Sequence, residues 1–222
     1  MLEAARLNDV QKVFFPSSIA VFGPDARQEN VAQDFALNPT TVYGISKVAG
    51  EHWARYYNTK YGMDVRCLRY PGLISYQSLP GGGTTDYAVD IFHKAINNEE
   101  FVCYLKPDTQ LPMLYMDDAI DATIRMMEAS KRDIKTVGYN IQGVSFSPEI
   151  IAAEIKKTFP DFEISYQPDS RQQIAESWPI SLDDARARDE WGWEPSFDLK
   201  RMTEEMIYRL ELKKNRNLSV FA

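Results

Sequence analysis

The stretch Thr41-Val42-Tyr43-Gly44-Ile45-Ser46-Lys47 opens a predicted helix over residues 41–61, which lies between two predicted strands. The strand before it covers residues 10–16, and the strand after it covers residues 64–70. A strand, a long helix and a second strand at this spacing are typical of a βαβ crossover, which joins two parallel strands. The sequence therefore predicts an α/β fold with a parallel sheet.

Tyr43 and Lys47 are one helical turn apart, so the spacing places them on the same face of this helix. Ser17 and Ser18 follow the strand over residues 10–16, and open α/β sheets bind ligands at the carboxyl ends of their strands. A free tyrosine is a weak base at neutral pH, since its reference pKa is about 10, but a nearby ammonium favours the phenolate form. The four residues are candidates for removing a proton from an alcohol while a hydride leaves the same carbon.

Neither half of this set is specific when it is taken alone. Tyr56 and Lys60 repeat the same spacing close to the predicted helix end at Gly62, where the helix dipole explains a lysine. Serines after a strand are also explained by simple turn formation. What favours a site at Tyr43 and Lys47 is that the two serines lie one βα step upstream.

The composition of the 222-residue chain limits the classes of function. An apolar fraction of 44% supports a substantial core, while a net charge of −7 argues against nucleic acid or an acidic membrane surface as partner. No apolar run of about 18 residues is present, which argues against a membrane span. Cys67, Cys103, His52 and His93 are too few and too scattered for a catalytic zinc site, so we expect no metal and two buried reduced thiols. We expect a reducing compartment, because the start of the chain has no apolar signal segment.

Residues 79–86, Leu-Pro-Gly-Gly-Gly-Thr-Thr-Asp, contain three consecutive glycines. This is not the phosphate-binding Gly-x-Gly-x-x-Gly motif, since the spacing differs and no strand comes immediately before it. Three glycines predict a backbone that is mobile or closely approached. A flexible surface loop and a substrate lid whose threonines bind a polar ligand both fit this pattern.

The rest of the chain alternates between predicted helices and strands. Asp117 and Asp118 begin one of these helices, where carboxylates are best explained as N-terminal residues. A dinucleotide-binding sheet needs a glycine-rich first βα turn, and no such turn precedes the first predicted strand here, so we expect the chain to start in the middle of such a fold. Helices are predicted over residues 86–98, 117–130, from 147 onward and 198–214, and strands over residues 101–105, 136–141 and 163–167.

Three motifs together resemble the extended short-chain dehydrogenase/reductase superfamily. They are Ser17-Ser18-Ile19-Ala20-Val21-Phe22-Gly23, the pair Tyr43 and Lys47, and Arg69-Tyr70-Pro71-Gly72. The resemblance implies the C-terminal part of a Rossmann-like doubly wound parallel sheet, plus a small α/β substrate-binding region.

Within this superfamily the chain is most similar to the NAD-dependent L-threonine 3-dehydrogenases of the epimerase-like type. The similarity is most specific in the run from Leu68 to Ser75 and in the glycine–threonine loop with its continuation to Phe92. The segments Ser177-Trp178-Pro179 and Trp191-Gly192-Trp193 match as well. The resemblance implies oxidation of the L-threonine 3-hydroxyl to 2-amino-3-oxobutanoate with NAD as hydride acceptor, a step of threonine catabolism.

The resemblance also implies roles for individual residues. Tyr43 would be the general base, and Lys47 would favour its phenolate and bind the nicotinamide ribose. Ser18, with Ser17 beside it, would hold the reacting hydroxyl, and the resemblance leaves open which of the two serines does so. The backbone after Pro71 would lie along the nicotinamide. The implied cofactor contacts are Tyr43, Lys47, Tyr70, Pro71, Gly72 and Leu73, and the implied threonine contacts are Ser18, Tyr43, Gly83, Thr84, Thr85 and Trp178.

The resemblance divides the chain into two regions. Residues 1–75 would form the second half of the NAD-binding domain, and residues 76–222 mainly the substrate-binding region, with residues 101–145 partly returning to the main sheet. It further implies a possible homodimer through helix 41–61, located in the cytoplasm or, in a eukaryote, in the mitochondrial matrix.

The first strands and the glycine fingerprint of the family are not in the sequence. We therefore expect the 222-residue chain to bind NAD weakly or not at all, which micromolar affinity in a calorimetric titration would contradict. We also expect an apolar sheet edge at residues 13–15, where another strand could pair.

Two other functions remain open on these residues. A sugar-nucleotide epimerase or dehydratase shares the Ser, Tyr and Lys set, but it must grip a diphosphate, and the segment after residue 70 has no cation before Lys94. An inactive remnant or interaction protein fits the absent cofactor half. Sequencing the genomic DNA upstream of Met1 separates these readings, because an in-frame strand with a glycine fingerprint would mark a fragment of an active enzyme.

Overall fold

The computed structural model describes residues 1–220, and the side chains of residues 1–216. In chain order the helices are α1 (Leu2–Leu7), α2 (Val42–Tyr61), α3 (Tyr87–Ile96), α4 (Met116–Glu128), α5 (Pro148–Lys156), α6 (Arg171–Ala175), α7 (Ala185–Trp191) and α8 (Leu199–Val220). The strands are β1 (Val13–Ser18), β2 (Val65–Tyr70), β3 (Gly72–Ile74), β4 (Phe101–Cys103), β5 (Leu111–Tyr115), β6 (Gly138–Asn140), β7 (Val144–Phe146) and β8 (Ile164–Tyr166).

The chain forms two compact units. Unit 1 contains Met1–Pro71, Asp117–Gln142 and Ser177–Pro195, and unit 2 contains Gly72–Met116, Gly143–Glu176 and the residues from Ser196 onward. Residues 177–195 thus lie with unit 1, although the sequence-based division placed them in the substrate region. The physical reason is backbone pairing, because Val31 forms a parallel bridge with Leu182.

Unit 1 is built on three parallel strands in the order β1-β2-β6, and helix α2 forms the crossover from β1 to β2. Alternate residues of a strand point to opposite faces of the sheet. In β2, Arg66 and Tyr70 form hydrogen bonds to α4, whereas Cys67 and Arg69 contact α2. Helices therefore cover both faces of a parallel sheet, which confirms the predicted α/β class and its doubly wound arrangement.

Strand β1 reaches further along the chain than the prediction of residues 10–16. It pairs with β2 from Val13 opposite Val65 to Ser18 opposite Tyr70, so the serines are its last two residues and do not follow it. Pro16 is tolerated in the strand because β1 has a partner on one side only within the described sheet. The side chains of residues 13–15 are partly exposed along this edge.

Helix α2 begins and ends as its sequence predicts. The side chain of Thr41 accepts a 3.0 Å hydrogen bond from the Gly44 amide, which satisfies one of the free N–H groups of the first turn. Gly62 ends the helix in the left-handed conformation, with φ of 67°, where glycine has no steric penalty. The predicted span of residues 41–61 is confirmed to within one residue.

Unit 2 contains two small sheets and a group of helices. Strand β5 pairs with β3 in parallel and with β7 in antiparallel orientation, and β4 pairs in parallel with β8. Helices α3, α5 and α8 pack against one another. The sequence analysis missed β3, β5 and β7, because these strands are short and β5 contains Pro112, which argues against a strand when it is read alone. In the described part of the chain no helix has the length and apolar character needed to cross a bilayer.

Candidate active site

Lys47 lies on the side of α2 that meets the end of β1. Its ammonium donates a 2.6 Å hydrogen bond to the carbonyl oxygen of Pro16. The same nitrogen is 5.2 Å from the ring centroid of Tyr43 and 5.2 Å from that of Phe15. The predicted pairing of Tyr43 with Lys47 on one helix face is thus present, and the pair is tied to the strand that carries the serines.

The phenol of Tyr43 is available to a ligand, since the residue is 54% exposed. Gly44, the next residue, allows α2 to approach the chain beyond β1. A Cβ atom on Gly44 would lie 2.1 Å from the carbonyl oxygen of Ala20, closer than any side chain permits. Tyr43 is therefore adjacent in the chain to the residue that contacts the turn after Ser18.

The two serines have different environments. Ser17 is buried and its hydroxyl donates a 2.6 Å hydrogen bond to Oε1 of Glu51. Ser18 is half-buried and its hydroxyl accepts a 3.2 Å hydrogen bond from the amide of Ala20 at the start of a short 3₁₀ turn. The Ser18 hydroxyl keeps its own proton free to donate, whereas that of Ser17 is already committed to a carboxylate.

Tyr70 and Gly72 stand at the junction of β2 and β3. The hydroxyl of Tyr70 is hydrogen bonded to Thr123, and burial raises the pKa of Tyr70. Its side chain is therefore occupied by α4, and its backbone is what it offers to a ligand. Within unit 2, a Cβ on Gly72 would lie 2.3 Å from the sulfur of Met113 and 2.8 Å from a methyl carbon of Thr85. The absence of a side chain on Gly72 therefore lets Thr85 pack against the backbone.

The side chains of Asp86 and Tyr104 hold the glycine–threonine loop in place through hydrogen bonds to its backbone. One carboxylate oxygen of Asp86 accepts hydrogen bonds from the amides of Gly81, at 2.7 Å, and Gly83, at 2.9 Å. The hydroxyl of Tyr104 donates a 2.9 Å hydrogen bond to the carbonyl oxygen of Gly83. Gly82 has φ of 90°, a conformation that favours glycine. The loop is thus an organised turn in which Thr84 is buried.

Trp178 belongs to unit 1, whereas the loop residues Gly83, Thr84 and Thr85 belong to unit 2. Its half-buried ring packs against an apolar cluster that includes Ile19 and Phe22, directly after the serines in the chain. Its carbonyl oxygen accepts a 3.1 Å hydrogen bond from Arg27. The structure therefore places Trp178 beside the serine end of β1.

The sequence analysis missed a buried polar network beneath the serines. Arg69 forms a bidentate ion pair with Glu51, and both side chains are almost completely buried. A usable signal was present, because an arginine inside an apolar strand and a glutamate on a buried helix face each require a partner. Arg69 is part of the Arg69-Tyr70-Pro71-Gly72 motif, but its charge was given no partner, and Glu51 lies outside the three motifs.

Nothing in the described residues groups three or more histidine, cysteine, aspartate or glutamate side chains for a metal ion. Cys67 and Cys103 are free and buried. Burial raises the pKa of the Cys103 thiol to about 11. Burial, reinforced by the carboxylate of Glu51, also raises the pKa of Cys67. Both thiols are therefore protonated at neutral pH and belong to the core.

The chain is similar over most of its length to proteins of known structure and name. It is 48% identical to the mitochondrial L-threonine 3-dehydrogenase of Bos taurus over 197 residues, which cover 88% of this chain and 53% of the bovine protein. It is 53% identical to the GalE-like L-threonine dehydrogenase of Cupriavidus necator in its holo form, with a TM-score of 0.93 over 94% of this chain and 68% of that one. A monomeric L-threonine 3-dehydrogenase from a metagenome is 49% identical, with a TM-score of 0.91 and coverage of 94% and 68%.

Two facts follow from these comparisons. The chain spans about half the length of its bovine relative and about two thirds of the two solved structures. Residues 1–141, more than half of the chain, match the family model described as the NAD dependent epimerase/dehydratase family. On these grounds the family expected from the serine, tyrosine and lysine motifs is confirmed, and the chain belongs to the NAD dependent epimerase/dehydratase family.

Proposed function

We propose that this chain supplies the proton-transfer and substrate residues of an NAD-dependent L-threonine 3-dehydrogenase, which oxidises the 3-hydroxyl of L-threonine to 2-amino-3-oxobutanoate. The observation that carries the proposal is the position of the Lys47 ammonium between the Pro16 carbonyl and the Tyr43 ring, at the end of the strand that carries Ser18. The names of the relatives at 48% and 53% identity support L-threonine as the substrate.

Tyr43 takes the proton of the threonine hydroxyl in this proposal, and Lys47 stabilises the phenolate and binds the nicotinamide ribose. The donor set fits these roles, since the Lys47 ammonium lies 5.2 Å from the ring centroid of the exposed Tyr43 on one helix face. NAD, when bound, accepts the hydride that leaves the same carbon. The backbone of residues 70–73 would hold the nicotinamide. Unit 1 thus forms the second half of the NAD-binding domain.

In this proposal Ser18 holds the reacting hydroxyl, whereas Ser17 has a structural role in the buried network with Glu51. The support is that the Ser18 hydroxyl has a free proton, whereas Ser17 donates its own to Glu51. For unit 2 we propose that Gly83, Thr84 and Thr85 bind the amino-acid part of threonine, and for unit 1 that Trp178 does so. The threonine hydroxyls of the loop support this role, because they suit the polar groups of a small zwitterion, whereas the amides of Gly81 and Gly83 are bonded to Asp86.

The assay follows NADH formation at 340 nm from L-threonine and NAD by the purified chain and by a chimaera completed with the unmatched part of the Cupriavidus necator relative. We expect Tyr43→Phe to abolish turnover, because the phenol is the base, and Tyr56→Phe to leave it unchanged. Turnover that survives Tyr43→Phe refutes the assigned base. Lack of turnover in the chimaera with the native Tyr43 refutes the proposed reaction.

A sugar-nucleotide epimerase is the second candidate, because the family includes epimerases and dehydratases. Such an enzyme needs cations for the diphosphate of its substrate. Lys94 is the first cation after residue 70, and its ammonium is 2.6 Å from a carboxylate oxygen of Glu99. This pairing favours threonine over a nucleotide sugar. Measuring UDP-glucose and L-threonine side by side in the same chimaera decides between them.

Helix α2 forms the contact of a homodimer in this proposal. The support is its row of exposed apolar side chains, with Val42 at 85%, Ile45 at 54% and Trp53 at 59% exposure. One relative is named as monomeric, so the pairing needs its own test. Light scattering coupled to gel filtration should give a dimer mass, which Trp53→Glu converts to the monomer mass. A monomer mass for the unaltered chain contradicts the dimer.

The proposed cellular compartment is based on the two thiols and on the location named for a relative. Two free buried thiols and a mitochondrial bovine relative support a reducing location, either the cytoplasm or the mitochondrial matrix. The net charge of −7 supports a small-molecule substrate over nucleic acid or an acidic membrane surface.

A further inference from the structure

We propose that Glu51, through its buried ion pair with Arg69, positions the site for catalysis: it fixes helix α2 against β1 so that Lys47 and Tyr43 meet Ser18. The proposal rests on the proposed function for the identity of the reaction. Its first support is the set of contacts made by one carboxylate. Oε1 of Glu51 accepts from the Ser17 hydroxyl at 2.6 Å and from Nε of Arg69 at 3.0 Å, and Oε2 accepts from Nη2 of Arg69 at 2.9 Å.

The guanidinium of Arg69 connects this carboxylate to the rest of unit 1. Its Nη1 donates to the carbonyl oxygen of Gln33 at 2.9 Å and to Oδ1 of Asn140 at 3.1 Å. Glu51 is 2% exposed, Arg69 4% and Asn140 0%, so the network lies in the core. A buried charge of this kind is tolerated only when its partners are placed accurately.

All three strands of the unit 1 sheet either bond to the Glu51 carboxylate or leave room for it. β1 provides the Ser17 hydroxyl and β2 provides Arg69, as described above. β6 provides space, because a Cβ atom on Gly138 would lie 2.8 Å from Oε2 of Glu51 and 2.9 Å from its carboxyl carbon. Residues of all three strands therefore lie against this one carboxylate.

Helix α2 makes two directional contacts with the sheet besides Glu51: Lys47 bonds to the Pro16 carbonyl at 2.6 Å, and Asn58 exchanges two 2.8 Å hydrogen bonds with the backbone of Val65. The fully buried residues of α2 are Gly44, Glu51 and Ala54, so no large apolar side chain of the helix is fully buried. Gly50 also faces the sheet, since a Cβ atom there would lie 2.2 Å from the Phe15 ring. Small residues let a helix come close, and directional contacts then set its position along the sheet. Glu51 is the one buried residue of α2 whose partners have fixed directions.

This geometry leads directly to the candidate catalytic residues. Glu51 is one turn beyond Lys47 and eight residues beyond Tyr43, which corresponds to about 12 Å along the helix. It is hydrogen bonded to Ser17, whose neighbour in the chain is Ser18. A shift of α2 would move Tyr43 and Lys47 relative to Ser18, and a misplacement of about 1 Å can cost about 10²-fold in rate.

Stability alone is a poor explanation of this pair. Replacing a buried ion pair by apolar residues of similar volume is often neutral or stabilising, whereas removing one partner is strongly destabilising. Apolar residues at these two positions would give equal or greater stability. What the ion pair adds is a fixed geometry between α2 and the sheet. A positioning role and a merely structural role consequently differ in what a double replacement does.

The first experiment compares Glu51→Gln with a matched control, Asp64→Asn. Asp64 forms the other buried ion pair of β2, in which Arg66 donates to its two oxygens at 2.7 Å each, at the opposite end of the strand. Both variants leave a buried guanidinium without its carboxylate, so both should lower the urea midpoint. In the chimaera used for the threonine assay, we expect only Glu51→Gln to lower kcat for threonine, by about 10²-fold, with little change in KM for threonine.

A second readout does not depend on turnover. In the full chain labelled with ¹³Cζ-tyrosine, the Tyr43 resonance is identified by its loss in Tyr43→Phe. We expect Glu51→Gln to move this resonance and Asp64→Asn to leave it in place. Equal displacements in the two variants, or none in either, would overturn the positioning role even if the proposed reaction is correct. Loss of the proposed reaction alone leaves this comparison intact.

The double variant Glu51→Leu/Arg69→Met separates positioning from stability. We expect it to regain part of the urea midpoint that Glu51→Gln loses, because no unpaired charge stays buried, while the Tyr43 resonance stays displaced and kcat in the chimaera stays low. Recovery of both the midpoint and the native Tyr43 resonance would show that the pair only stabilises the fold. If the double variant fails to fold, the comparison of Glu51→Gln with Asp64→Asn decides the matter.

Discussion

The ammonium of Lys47 donates a 2.6 Å hydrogen bond to the carbonyl oxygen of Pro16, and this bond ties helix α2 to the end of strand β1. The second pair with the same sequence spacing, Tyr56 and Lys60, has a different environment. The ring of Tyr56 packs edge-on against Trp53, at 6.1 Å between centroids, within an aromatic group on the helix surface. Equal spacing thus gives two pairs with unequal surroundings.

In the chimaera, replacing Lys47 by methionine should reduce turnover of L-threonine by about 10²-fold or more, because the base proposed at Tyr43 loses its neighbouring cation. The free energy of unfolding should fall by about 1 kcal/mol, since one hydrogen bond to a charged group is lost. Steady-state kinetics and urea unfolding measure the two effects. Lys60→Met is the control and should change neither quantity. Equal losses in both variants would contradict a special role for Lys47.

Replacing Gly44 by alanine should destabilise the protein by about 1–3 kcal/mol, because the new methyl group would lie 2.1 Å from the Ala20 carbonyl oxygen. In an unconstrained helix the same change would stabilise by about 1 kcal/mol, so the sign of the effect is informative. Urea unfolding measures it. Gly81→Ala is a suitable control, since its Cβ would meet nothing closer than an Asp86 oxygen at 3.5 Å. A Gly44→Ala variant as stable as the parent chain would disprove the close approach of α2.

Replacing Asp86 by alanine should loosen the glycine–threonine loop without unfolding unit 2. The amides of Gly81 and Gly83 lose their shared acceptor, so their hydrogen exchange should accelerate by about tenfold, the equivalent of one net hydrogen bond. If the loop contacts threonine, KM for threonine rises as well. Asp90→Ala, in the first turn of the same helix, serves as control. Unchanged exchange at both glycines would mean that Asp86 does not hold the loop.

The two thiols should be inert in the folded protein. Burial raises the pKa of Cys103 to about 11, and burial together with Glu51 raises the pKa of Cys67. Because a thiol reacts as its thiolate, iodoacetamide at pH 8 should modify both residues only after unfolding in urea.

The same shifts have a consequence for stability at high pH. The pKa of each thiol is higher in the folded than in the unfolded state, where it is about 8.5. Their contribution to stability is therefore complete below that value and is lost as pH rises toward about 11 for Cys103. The urea midpoint of Cys103→Ser should accordingly fall less steeply above pH 9 than that of the parent chain. Rapid alkylation of the native protein at pH 8 would contradict the burial of the thiols.

The regular elements with strong local patterns were predictable. Helix α2 has a threonine cap, a glycine end and a long amphipathic run, and its span was predicted to within one residue. Strand β5 was missed because it is five residues long and contains Pro112, and its partners lie far away in the chain. Helix α7 was missed because its seven residues are mostly charged, and it gains its stability from the buried Ala187 and Trp191.

The sequence by itself determined the parallel α/β class, the family and the shared helix face of Tyr43 and Lys47, because these depend on spacing within one element or between consecutive elements. Only the tertiary structure gave the two serines different environments. It buries Ser17 against Glu51 and leaves Ser18 half-exposed, although the two are neighbours in the chain. It also paired Glu51 with Arg69, which are 18 residues apart. Which partner a buried charge finds is fixed by the packing of helix on sheet, and no local pattern encodes that contact.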